Sequence, residues 1–459
     1  MTGPMTYRAA GRPLCAAVLA ALLFAALTVP ARSSAAHGAH PDPGRIAPVV
    51  FVHGQQGSAQ QWQSQAKRFS SNGYPDSLLH AYEYDTTVPT DTHAIEGLET
   101  FIDAVLARTG AAQVDVVAHS RGTRVMHAYL ADPARAAEVR RYVNLDGRSA
   151  DAPPGGVPTL ALWGSLQPNG SIGGAVNIHQ PDKGHTETAT SAEGFAHIHR
   201  FLRGREPLTT RVLPQPPGLV RIEGKVVSFP QNTGLAGRLE VWRVDPATGA
   251  RQGHRPRHAV RVGADGSFGP LPVHGLLRYE LAFVREGERT SHFYTEPFER
   301  SDRFLRLLVS PPGGVADFVD ACPGHTSLTV SRQREWWSGS AAGTDDSLRI
   351  DGTEVLSPGV APPLRQILGV FVFDRGCDGV TELGAALPPF DRVPFLTAAD
   401  LYLPAAPEAD GTLTVAQTLR GTGETRTLAV PNWPSDRHTV SVQFKDYPDT
   451  VFGRGSGGR

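Results

Sequence analysis

The stretch 114–130, VDVVAHSRGTRVMHAYL, leaves this chain few ways to fold. Val114, Val116 and Val117 read as a buried strand. The turn Ala118-His119-Ser120-Arg121-Gly122 follows, and then Val125, Met126, Tyr129 and Leu130 recur at the spacing of one helical face. Strand, sharp turn and helix in immediate succession, with small residues two before and two after a serine, make the nucleophile-elbow pattern. The small residues answer a steric demand, because the two backbones nearly touch there. Glycine is usual at the first position; Ala118 adds one methyl. Ser120 is therefore the candidate nucleophile.

A serine nucleophile needs a base, an acid that orients the base, and N–H donors for the oxyanion. In α/β hydrolases the chain order is serine, acid, histidine. Asp146 follows the apolar run 141–145 and precedes Gly147, whereas residues 164–181, after the next strand, hold no Asp or Glu. That empty interval makes Asp146 the candidate acid, ahead of Asp151, Asp182 and Asp115. Among the later histidines, His185 lies in the polar loop DKGHT before a closing helix, and His179 rivals it at the end of the last strand. His197 and His199 fall inside that helix. The residue after the serine, Arg121, supplies one backbone N–H for the oxyanion, and the loop HGQQG after the first strand supplies the other through Gln55. His53 precedes the serine, so the chain order assigns it a structural loop role. His37, His40 and His53 are a weak metal set, and we expect no metal and no cofactor.

Fold class follows from the order of segments. Residues 48–52 (PVVFV), 78–84, 114–119, 141–145 and 159–163 are short strands alternating with helical patterns at 60–71, 95–109 and 192–202. This predicts a doubly wound, mostly parallel sheet over residues 37–206. The Pro-rich segment 207–217 reads as a linker. Beyond it period-two runs separated by Asp-Pro, Thr-Gly and Asp-Gly turns predict an all-β region of sandwich or barrel type, with parts at 218–310 and 311–453 and a tail at 454–459.

Residues 1–36 have the form of a secretory signal peptide: Arg8 and Arg12, an apolar run at 14–29, then Ser34-Ala35-Ala36 before His37, with a cut after Ala31 as the alternative. The run is short for a membrane span. A secreted location is expected, and in an oxidising compartment the two mature cysteines, Cys322 and Cys377, favour a disulfide over two buried thiols. Removing the leader leaves 41 basic against 45 acidic residues, a net charge of −4, which offers nucleic acid no attraction. At 40% hydrophobic and 19% charged residues the chain can build buried cores.

The segments VVFVHGQQGSAQQWQSQAKRFSSNGYP, VDVVAHSRGT, DPARAAEVRRYVNLDG, GHTETATSAEGFAHIHRFLRG and GVFVFDRG (369–376) resemble a family of secreted lipases first known from a hyperthermophilic archaeon. The resemblance implies an α/β-hydrolase domain followed by a β-domain that binds lipid. It also implies a Ser120–Asp146–His185 triad, with oxyanion donors at Gln55 and Arg121, and it favours His185 over His179. Two departures stand out. Residues 85–92 are too few to hold that family's lid, and Arg121 and Gln55 replace apolar residues. Both predict an open, more polar cleft and shorter or more polar esters. The function expected is thus a carboxylic-ester hydrolase with small-molecule or lipid ester substrates. A binding or adhesion protein is the alternative, docking lipid, polyester or glycan through residues 218–453 with Trp336, Trp337 and Tyr294 as contacts.

Overall fold

A computed structural model describes residues 46–337, 345–362 and 365–447. The expected leader and tail lie outside the described residues.

Six parallel strands open the described chain: β1 (Val49–Val52), β2 (Leu79–Tyr82), β3 (Val114–His119), β4 (Val139–Leu145), β5 (Thr159–Trp163) and β6 (Val176–His179). Their order across the sheet is β2-β1-β3-β4-β5-β6, with β3 central. β1 and β3 are buried on both faces: β1 is an unbroken apolar run, and in β3 the buried Asp115 pairs with Arg140. The helices are α1 (Gln63–Ser71), α2 (Thr92–Thr109), α3 (Arg121–Leu130), α4 (Pro133–Ala137), α5 (Glu187–Thr190) and α6 (Ala192–Arg203). One core on the sheet packs Ile102 and Val105 of α2 with Val125 and Met126 of α3. A second core packs Trp62, Phe69 of α1 and Phe195 of α6 around Phe51. Because strand order reverses beside β1 and β3, the loops after these strands diverge and leave a crevice at their carboxyl ends.

From Arg221 the chain is strand-rich. A three-stranded sheet of Arg221–Ser228, Ser267–Pro272 and Asp302–Val309 and a four-stranded sheet of Ser347–Ile350, Thr353–Glu354, Thr412–Thr418 and Thr425–Pro431 accompany one eight-stranded sheet. That long sheet takes Gly237–Val244, His258–Val262, Arg278–Val284 and Thr290–Thr295 from before residue 310, and Leu328–Ser331, Gly369–Phe373, Leu396–Asp400 and His438–Gln443 from after it. Thr290–Thr295 pairs in parallel with His438–Gln443. The two β parts expected from the sequence therefore contribute strands to one shared sheet. Each half of it packs on one smaller sheet. Leu239, Leu281 and Phe293 meet Ile222 and Leu307, while Val330, Val372 and Val442 meet Leu348, Val415 and Val430. Cys322 and Cys377 form the expected disulfide, with Cα atoms 6.5 Å apart.

Candidate active site

Ser120 sits at the junction of β3 and α3 with φ 53° and ψ −123°, a conformation that costs energy for any residue but glycine. The surroundings explain the glycines near it. A Cβ at Gly122 would lie 2.6 Å from the His53 carbonyl, and one at Gly54 would lie 2.8 Å from the Ser120 Cβ. Ala118, paired with Val52 and Asn144 on the neighbouring strands, is fully buried, so its methyl is accommodated.

Asp146 follows β4 directly and also has positive φ, at 41°. The Ser120 N–H donates to Leu145 O at 3.0 Å and the Asp146 N–H to Leu162 O at 2.7 Å, so serine and acid leave neighbouring strands at one end of the sheet. The His185 Nδ1–H donates to Asp146 Oδ2 at 2.7 Å, and Gly164 N–H donates to Asp146 Oδ1 at 2.7 Å. His185 and Asp146 are both buried. The rivals lie elsewhere. Asp115 is buried in an ion pair with Arg140, Asp182 pairs with Lys183 at 2.6 Å, and His179 contacts Gly170 O at 3.0 Å. His199, on α6, contacts Arg205 O at 3.1 Å.

His119 is the residue that sequence reasoning passed over. It fills the variable position before the serine, where the motif asks nothing of it. Its ring centre lies 4.4 Å from that of His185, its Nε2–H donates to the His185 carbonyl at 2.9 Å, and its Nδ1 accepts from Gln61 Nε2 at 2.7 Å. The ring is therefore a neutral spacer that fixes the loop carrying His185, and burial holds its pKa well below the ordinary value. His53 is also neutral, lowered to about 4 by burial. Its Nε2 accepts from Tyr84 N–H at 3.2 Å, and its ring stacks on Tyr84. That is the structural loop role expected of it.

These histidines make an acid-sensitivity prediction. His53, His80 and His127 are each lowered to about 4, mainly by burial, and burial also holds His119 well below its ordinary value. A depressed histidine pKa means the unfolded chain binds protons that the folded chain refuses. Stability is thus whole above the free-histidine pKa of about 6.5 and declines as the pH falls from there toward 4. Melting temperatures measured across this range should drop steadily; a flat profile would contradict the assignment of these rings as neutral.

Arg121 corrects an expectation. Its side chain does not line the cleft but turns back into the loop 85–91. There it pairs with Asp91 at 2.9 Å, and its Nη1 donates to Thr86 O at 2.6 Å and to Gln55 Oε1 at 2.8 Å, while Nη2 donates to Val88 O at 2.6 Å. The arginine thus stitches down the short segment that stands where a lid would be, and the polarity it was expected to bring to the cleft is spent on main-chain carbonyls. The Gln55 amide is engaged likewise, with Nε2 on Thr86 O at 3.0 Å. Among the described residues neither the Gln55 nor the Arg121 main-chain N–H has an acceptor, which leaves both available to an oxyanion.

The cavity at Ser120, about 80 Å³, has Gln55, His119 and Thr186 on one side and Phe229, Leu368 and Phe395 of the β region on the other. A larger cavity of about 210 Å³ shares Phe229, Leu308, Gly369 and Leu396 with it and runs between the β sheets. The β region thus forms one wall of the cavity at the serine. The aromatic residues offered for adhesion are committed to packing. Trp336 is fully buried under Arg332, whose guanidinium lies 4.0 Å from its ring, Tyr294 is buried and accepts from Trp433 Nε1 at 3.0 Å, and Trp337 packs against the same core.

Comparison with known proteins agrees with this arrangement. Residues 46–132 match the family model of class 2 lipases, residues 218–312 the lipase C-terminal domain, and residues 314–448 a further C-terminal domain model. The chain belongs to the lipase/esterase family. It is an α/β hydrolase with a strand-rich C-terminal region of several sheets. Among solved structures this lipase-family chain is similar to a gene product of Listeria innocua, at 14% identity over 36% of this chain and 97% of that one, with a TM-score of 0.29. It is also similar to lipase B of Aspergillus fumigatus, at 14% identity over 36% of this chain and 54% of that one, with a TM-score of 0.29. A third is carboxylesterase CesB of Bacillus subtilis, at 12% identity over 35% of this chain and 85% of that one, with a TM-score of 0.27.

Proposed function

We propose that the chain is a secreted serine carboxylic-ester hydrolase that works through an acyl-enzyme on Ser120. The observation that carries this reading is the 2.7 Å bond from His185 to Asp146, formed at the sheet end where Ser120 is held in its strained turn. Asp146 fixes the imidazole with its proton on Nδ1, so Nε2 is the basic nitrogen that takes the Ser120 proton. The freed oxygen attacks the ester carbonyl, and the Gln55 and Arg121 N–H groups stabilise the oxyanion. Collapse expels the alcohol, which takes its proton from the imidazolium. Water, deprotonated by His185, then releases the acid. Secretion rests on the signal-like residues 1–36. Docking on a lipid or polymer surface through residues 218–453 belongs to the same reading; it is supported by exposed Leu219 and Leu276, whose segments are joined by a Gly275 N–H bond to Pro217 O at 2.9 Å.

The test is hydrolysis of p-nitrophenyl esters by the full-length protein, with stoichiometric labelling of Ser120 by a fluorophosphonate. Absence of both would end the proposal. The adjoining cavities add a substrate statement: the acyl chain enters between Phe229 and Leu396, short chains ending near Ser120 and longer ones running on between the β sheets. Leu396→Trp narrows the shared wall. It should lower kcat/KM for long-chain esters by roughly tenfold, a shape discrimination of the size hydrophobic pockets give, while butyrate esters are spared. Equal loss at every chain length would sink the acyl path.

A further inference from the structure

The segment that carries His185 is held from the far side by a carboxylate of the β region. Thr186 and the first residue of α5, Glu187, follow the histidine immediately, and their main-chain N–H groups both point at Glu335, just beyond the strand Leu328–Ser331. Thr186 N–H donates to Glu335 Oε1 in a short bond, and Glu187 N–H donates to Oε2 at 3.1 Å. Gly184, the residue before the histidine, makes this approach sterically feasible: a Cβ there would lie 2.4 Å from Glu335 Oε2. Glu335 is itself buried, and both its oxygens accept from N–H groups, which favours the ionised form. Burial nevertheless holds the carboxyl pKa above its ordinary value, with the Thr186 N–H opposing the rise. Among the described residues no cation pairs with this carboxylate, and a buried charge so placed is costly. Docking has its own set of contacts nearby. Glu187 pairs with Arg420 at 2.8 Å and Arg334 at 3.1 Å.

We propose that Glu335 is a positioning residue for His185: its carboxylate fixes the main chain on both sides of the base, and its negative charge favours the imidazolium formed as Ser120 loses its proton. The inference rests on the triad reading above. The charged and titratable groups facing His185 are Asp146, His119 and Glu335, with Glu187 and its two arginines behind them. Phe395 stacks on the imidazole from the β region, 6.1 Å between ring centres. The region thus completes the base instead of being appended to a finished catalytic domain.

The decisive variant is Glu335→Gln in the full-length chain, because an amide cannot accept from both N–H groups. With a soluble short-chain p-nitrophenyl ester, kcat should fall by about 10²-fold, the cost of a misplaced catalytic group, with KM little changed. The acidic limb of the kcat/KM profile should move to lower pH, since the imidazolium has lost a neighbouring charge. Glu335→Asp, which keeps the charge, should recover part of both effects and also serves if the glutamine variant fails to fold. Lys67→Gln removes only a docking pair, the one with Asp302 at 2.6 Å, and should lower the melting temperature without moving the acidic limb. An unmoved limb in folded Glu335→Gln, a wild-type kcat in Glu335→Asp, or the same shift in Lys67→Gln would overturn the proposal. If the wild-type protein hydrolyses no ester, the triad reading falls by itself. Glu335 is then judged by the downfield Nδ1–H proton resonance of the His185–Asp146 pair, whose titration should still move to lower pH in the variant; an unchanged titration refutes it.

Discussion

Ser120→Ala should reduce ester hydrolysis by about 10⁶-fold in kcat, the scale on which removal of a triad serine acts, and leave the fold intact. The chemical part follows from the absence of a substitute. Without the hydroxyl, catalysis falls back on a water that the positioned His185 can polarise and on the Gln55 and Arg121 N–H groups, a residue of roughly 10³–10⁴-fold over the uncatalysed reaction. The structural part follows from the turn. Alanine bears the same φ 53° strain as serine, and its Cβ keeps the contact that Gly54 is shaped to receive. The measurement is kcat on a p-nitrophenyl ester beside the melting temperature and fluorophosphonate incorporation. Loss of label and rate at unchanged melting temperature is the expected result. Activity that survives the substitution would remove Ser120 from the chemistry altogether.

The proposed triad was legible because its signals are local and ordered. The elbow is contiguous, Asp146 stands at a strand end before glycine, and the acid-free interval 164–181 eliminated the later position. The last strand was harder. In β6 none of Val176, Asn177, Ile178 and His179 is fully buried, so an edge strand there carries no apolar run to read. What could not be read is what the β region does to the site. The parallel pairing of Thr290–Thr295 with His438–Gln443 joins segments some 148 residues apart, as do the Phe395–His185 stacking and the Glu335 bonds on their own scale. No periodicity reports such contacts. Arg121 shows the opposite failure. Its place in the motif was clear, but a side chain's direction depends on the acceptors around it, and here Asp91 and the carbonyls of the loop 85–91 draw it away from the cleft.

Asp146→Asn separates the assigned acid from its rivals, with an expected fall of about 10⁴-fold in kcat, the magnitude seen when the orienting carboxylate of a triad becomes an amide. Each oxygen of Asp146 has one donor: His185 Nδ1 on Oδ2 and Gly164 N–H on Oδ1, both at 2.7 Å. An asparagine can satisfy only one. With its oxygen toward His185, its NH₂ meets the Gly164 N–H, donor against donor, inside a buried wall. With its NH₂ toward His185, the imidazole must accept at Nδ1 and carry its proton on Nε2, where it can no longer take one from Ser120. Both outcomes leave substrate binding in the cleft untouched, so KM should hold while fluorophosphonate labelling of Ser120 slows with kcat. Asp182→Asn, at an exposed side chain paired only with Lys183, should behave as wild type. If Asp182→Asn is the inactive one and Asp146→Asn is not, the acid has been misassigned, and the 2.7 Å bond to His185 is a structural contact only.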